Sequence, residues 1–137
     1  MRNRYMEELG LARKVYDTDM WGLVKGREPN IASISKWQEQ KNTYGCDSRE
    51  CYSLDFTFAM WLYTHLKIFH QDANESVDLD EKVVDIGEKE LKTVNECITL
   101  MLTELENYLT EENDETKYKC LDKAINIFAY SYRYLWW

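Results

Sequence analysis

A single proline and five glycines in 137 residues leave too few chain breakers for a many-stranded β protein, which needs turn signals roughly every eight to twelve residues. Their scarcity predicts an all-α fold. The length suits one core, so the expectation is a single-domain helical bundle of about four to five helices over residues 1–137. Long apolar runs are missing too. None approaches the ~20 residues of a membrane-spanning helix, and the opening Met1-Arg-Asn-Arg-Tyr-Met-Glu-Glu lacks the apolar segment of a secretory signal. A cytoplasmic protein without membrane contact is expected, with its four cysteines kept as free thiols by a reducing interior. Neither a G-x-x-x-x-G-K-[ST] loop nor a G-x-G-x-x-G turn brings backbone amides to a phosphate, and the E-x-x-H pair of di-iron bundles is absent. No cofactor and no metal are expected.

Basic residues are scarcest where acidic ones are densest. Between Asp72 and Glu115 there is no arginine, and three lysines face fifteen of the chain's 25 carboxylates, leaving this stretch at −12 in a chain of formal net charge −8. The remaining basic residues are scattered over positions 2–67 and 117–133 without the cluster that releases counterions from nucleic acid, which disfavours direct nucleic-acid binding. A stretch polarised in this way repels nucleic acid and attracts a basic surface, at a rate that falls with salt.

The helical periodicities are as follows. Tyr5, Leu9, Ala12 and Tyr16 mark a first amphipathic helix from Arg4 to roughly Tyr16, and residues 17–31 read as a packed loop. Ser35-x-x-Gln38 has capping-box spacing and Gly45 supplies a stop, giving a short helix over Lys36–Thr43. Asp47 and Glu50 form a second capping box ahead of a long helix over Cys51–His70, whose apolar stripe is Leu54, Phe58, Trp61, His65, Ile68 and Phe69, widened by Phe56, Leu62, Tyr63 and Leu66. After an exposed connection over Gln71–Asp80, with Asp80 a candidate cap, Leu91, Val94, Ile98, Met101, Leu105 and Tyr108 alternate spacings of three and four. Thr110–Glu115 is an acidic turn that Asn113 or Asp114 caps. Tyr118–Trp137 is a last helix with Leu121, Ala124, Ile125, Phe128, Tyr132 and Leu135 on one face and Tyr130, Tyr134 and Trp136 outside it.

Candidate chemistry is thin. His65 sits on an apolar stripe and reads as a hydrogen-bonded core histidine; Cys51, in a first helical turn, has no identifiable base; Glu50 and Asp55 are explained by capping and solvation. A zinc site built from Cys46, Cys51 and a histidine is a third option, and it lacks a short-spaced cysteine pair. No catalytic residue emerges, and a non-enzymatic protein is expected.

Gly45-Cys-Asp-Ser, Cys51-Tyr-Ser-Leu-Asp-Phe-Thr-Phe-Ala59 and Leu66-Lys-Ile-Phe69, with Phe128-Ala129, Tyr132, Tyr134 and Leu135-Trp136, form a pattern that resembles small uncharacterised all-helical proteins encoded by tailed bacteriophages. The resemblance covers residues 45–137 and implies a phage or prophage origin, with no assigned chemistry. Two functions follow from charge and composition in that setting. In the first, Glu104, Glu106, Glu111, Glu112, Asp114 and Glu115 form an acidic, nucleic-acid-mimicking face, because carboxylates on successive turns stand ~5–6 Å apart, close to the phosphate spacing of a strand. Its partner would be a host protein with a basic nucleic-acid-binding surface, a CRISPR-type or nuclease defence complex, inhibited by occlusion. The plainer alternative is that these carboxylates are the solvated side of an ordinary helix. In the second, Tyr130, Tyr134, Trp136 and Trp137 anchor a homo-oligomer, a self-associating structural or accessory protein.

Overall fold

The computed structural model describes residues 3–11, 31–51, 53–73, 77–83 and 92–136. It is all-α apart from one two-stranded ribbon: α1 Arg4–Glu8, α2 Ile31–Tyr44, a 3-10 turn Ser48–Cys51, α3 Leu54–Asp72, β1 Lys82–Val83, β2 Lys92–Thr93, α4 Val94–Thr110, α5 Asp114–Ser131 and a 3-10 turn Tyr132–Tyr134. No helix among the described residues is long and apolar enough to cross a membrane. The chain divides into two compact units, Met1–Phe58 and Ala59–Trp137.

In the first unit, Asn3 caps α1 by accepting from the Met6 amide. The helix stops at Glu8, well before the expected Tyr16. Gly10, at φ +74°, lets the Gly10 and Leu11 amides turn back to the Glu7 and Met6 carbonyls in a Schellman motif. The rest of that expected helix and the loop after it lie outside the described residues. α2 begins at Ile31, so Ser35 is in its interior and not its cap, and the helix buries no residue. Gly45, at φ +79°, ends it as expected.

The Asp47 box forms as its spacing predicts. The Arg49 amide donates to Asp47 Oδ1 at 3.0 Å, and the Asp47 amide donates to Glu50 Oε2 at 2.8 Å. It opens a 3-10 turn and not the long helix, so Cys51 closes that turn and lies outside α3.

The second unit is built on the antiparallel pair α4 and α5. The predicted seam is its core: Val94, Ile98, Met101, Leu105 and Tyr108 are all buried, joined by Cys97 and Leu109, while Leu91 lies outside the described residues. Leu121, Ala124 and Ser131 of α5 complete the core. Ser131 is a buried hydroxyl that satisfies itself by donating to the Ile127 carbonyl at 2.6 Å. Asn113, and not Asp114, caps α5 by accepting from the Thr116 amide.

α4 starts later than its apolar pattern suggests, because Lys92 and Thr93 pair with Val83 and Lys82 in the antiparallel ribbon. Thr93 then caps the helix, accepting from the Glu96 amide at 3.0 Å. The Val94 and Asn95 amides donate to the Glu81 and Leu79 carbonyls, so the first-turn amides of α4 find partners in the preceding segment. The Asp80 amide donates to Asp78 Oδ1, and the segment Asp80 was expected to cap lies largely outside the described residues.

From Ala59 onward, α3 turns Ala59, Leu62, Tyr63 and Leu66 inward. Tyr63 Oη donates to Glu106 Oε2 at 3.2 Å and His70 Nε2 to Asn95 Oδ1 at 2.7 Å, fixing α3 beside α4 at two heights. The stripe expected to be buried is not. Leu54, Trp61, His65 and Ile68 are exposed, because α3 is apolar on nearly every side and its packing selects the face centred on Leu62 and Leu66.

Candidate functional site

Residues from α3 and from the end of α5 enclose an apolar groove of about 420 Å³. Trp61, Leu62, His65, Leu66, Ile68 and Phe69 form one wall, and Phe128, Tyr132 and Leu135 form the other. The volume lies within the ~300–1,000 Å³ range of ordinary ligand pockets, and the lining is apolar apart from an imidazole and a phenol. The groove is open. Trp61 is 51 % exposed, Ile68 43 % and Tyr132 48 %, although side chains of this kind are normally covered. Trp136, next to the lining residue Leu135, stands out into solvent at 64 %.

His65 is the groove's one strongly polar group and not the core histidine its position on the stripe suggested. Its ring stacks on Trp61 with centroids 4.3 Å apart, and Nδ1 lies 2.6 Å from the Trp61 carbonyl oxygen one helical turn back. Of the aromatic residues expected at a contact, Tyr130 and Tyr134 are half-buried with partners of their own, Trp136 is exposed, and Trp137 lies outside the described residues. The groove side chains Trp61, Ile68 and Tyr132 went unrecognised as surface, because each also fits a helical core stripe.

The six carboxylates do not form one face. Glu104 and Glu106 are two residues apart, ~200° around α4, and they go separate ways: Glu104 to Lys123 of α5 at 3.9 Å, Glu106 to the Tyr63 hydroxyl. Glu111 turns inward on its own loop, accepting from the Glu112 and Asn113 amides at 3.0 and 2.9 Å. Glu115 pairs with Lys119 at 3.0 Å, and Lys117 lies over the Tyr108 ring at 5.0 Å. Glu112 and Asp114 are exposed. α5 therefore returns Lys119 to Glu115 beside the turn and Lys123 to Glu104 on α4, so the acidic stretch is less polarised in space than along the chain.

Reactive groups are held in structural roles. Asp47, almost fully buried, lies 2.6 Å from Arg49 Nη2. The hydrogen bond from Arg49 holds its carboxyl below the usual aspartate range against the opposing effect of burial. Arg49 also lies over Trp37 at 4.7 Å. Burial pushes the Cys120 thiol up, and the hydrogen-bonded Glu104 carboxylate adds to the rise. Cys46 and Cys51 are exposed free thiols. Among the described residues no group of three or more His, Cys, Asp or Glu side chains converges to hold a metal ion.

No family model, curated protein or solved structure matches this chain.

Proposed function

We propose that the protein is a non-enzymatic interaction module that self-associates through the α3–α5 groove, in a structural or accessory role. One observation carries this. An open apolar groove and a protruding tryptophan lie side by side at one end of α5, so a two-fold axis lets each copy fill the other's groove in an isologous contact. Tryptophan concentrates binding energy in small patches, and an indole suits a cavity of this size.

Charge favours a second copy at this end. No carboxylate lines the groove among the described residues, and the stretch of helix between Glu115 and the lining residue Phe128, ~20 Å, separates it from the 111–115 turn. That is about two and a half screening lengths at physiological salt, so the turn's carboxylates oppose the approach only weakly. Light scattering tests the proposal. The wild-type protein should have about twice the 16.5 kDa chain mass, and the Trp136→Ala/Trp137→Ala variant should run as a monomer with unchanged helicity. A wild-type monomer at high concentration would refute it.

A second function rests on the exposed Glu112 and Asp114 beside Glu111 and Glu115, together with the resemblance to phage-encoded proteins over residues 45–137. In it the acidic turn occupies a basic nucleic-acid-binding surface of a host defence complex and inhibits it in the host cytoplasm. Reversing Glu111, Glu112, Asp114 and Glu115 to lysine should then abolish salt-sensitive capture of such a complex; capture that survives the reversal would exclude this function.

A further inference from the structure

We infer that His65 is the groove's hydrogen-bond acceptor for the indole N–H of Trp136 from a second copy, which makes self-association sensitive to acid. This rests on the self-association proposed above and adds the contact that sets its specificity.

The tautomer follows from the geometry. A carbonyl oxygen only accepts, so with Nδ1 2.6 Å from the Trp61 oxygen the neutral imidazole carries its hydrogen on Nδ1 and its lone pair on Nε2. The bond to the preceding turn and the stack on Trp61 fix the ring, and Nε2 makes no hydrogen bond among the described residues. The α3 wall therefore presents this acceptor among apolar side chains, and the Tyr132 hydroxyl lies in the other wall. An occupant that carries only acceptors leaves it unsatisfied, and one without polar atoms wastes it. Indole is an apolar body with one N–H and no acceptor, and Trp136 displays one beside the groove.

Protonation reverses the match. Nε2 then becomes a donor facing a donor, and a positive charge enters an apolar contact. From α5 and the turn after it, Tyr132 is the one titratable group lining the groove, and Arg133, whose guanidinium lies 5.9 Å from the Tyr132 ring, has the same sign as an imidazolium. Among the described residues no carboxylate lines the groove to compensate. Protonation of the ring therefore weakens the contact.

Sedimentation equilibrium of the full chain at about pH 7.5 and pH 5.5 tests this. Losing one buried charge-sensitive hydrogen bond costs about tenfold, and an isologous dimer has two, so dimerisation should weaken about a hundredfold on acidification. His65→Gln places an amide oxygen near the position of Nε2 without a titratable charge; it should dimerise with little pH dependence, whereas His65→Phe should be weak at both values. A wild-type dimer of equal affinity at both pH values, or a His65→Gln dimer as pH-sensitive as wild type, overturns the role of His65 and leaves self-association standing. A monomer under all conditions overturns both.

Discussion

Leu62 and Ile68 both line the groove from the same helix, and the structure buries them to different depths. Leu62 is 2 % exposed and packed in the second unit's core, while Ile68 is 43 % exposed on the groove wall. Truncating Leu62 to alanine removes buried methyl groups and leaves a void that rigid helices cannot close, at a cost of about 3 kcal/mol. For a chain of this length that lowers Tm by about 10 °C. Ile68→Ala leaves no enclosed void, since water already reaches the site. About half of a full side-chain transfer is lost, ~1 kcal/mol or less, and Tm should fall by about 3 °C. Thermal unfolding followed by circular dichroism at low micromolar concentration, where self-association contributes little, measures both. Equal losses for the two variants would mean that the Trp61–Ile68 face is packed in the native protein and that the groove is not open to a partner.

Other consequences are separately measurable. Because Arg49 holds the Asp47 carboxyl below its unfolded value, the stability from this pair is present at neutral pH and lost as pH falls through the acidic range below about 4. Asp47→Asn should cost about 2 kcal/mol at pH 7, since Arg49 is partly exposed and screened, and the wild-type/variant difference should vanish in acid; a constant difference across pH would show that the charge is immaterial. Gly10→Ala and Gly45→Ala should each cost about 1 kcal/mol through positive φ alone, because a Cβ meets nothing within 4 Å at either position. Under native conditions a thiol reagent should modify Cys46 and Cys51 quickly, Cys120 slowly because its thiolate is disfavoured beside Glu104, and Cys97 only on unfolding. Four equally fast cysteines would contradict the α4–α5 packing.

The fold was legible where one signal dominated. The 94–108 seam keeps strict spacings of three and four with mostly polar residues between, and that face is the buried one. The Gly45 stop is local chemistry and forms as expected, and so do the hydrogen bonds of the Asp47 box, although they open a 3-10 turn and not the long helix. Sequence gave out where several signals competed. α3 offers apolar residues all round, so periodicity did not choose between the Trp61 and the Leu62 faces. Ser35 has cap spacing but sits inside a helix that begins four residues earlier. Two-residue strands leave no periodic trace, so the ribbon that delays α4 was not visible.

The site was harder, because its parts are remote along the chain. The groove joins residues 61–69 to 128–135. Likewise the charge partition that ended at Glu115 separated carboxylates from Lys119 and Lys123, which an i, i+4 pair and a helix crossing bring back to them.

Intermolecular nuclear Overhauser effects in an equal mixture of isotope-labelled and unlabelled chains report the proposed contact itself. The groove contact predicts cross-peaks from the Trp136 indole of one copy to the Ile68 and Leu135 methyl groups of the other, lost in Trp136→Ala. Intermolecular cross-peaks confined to another surface, or none at millimolar concentration, would contradict it.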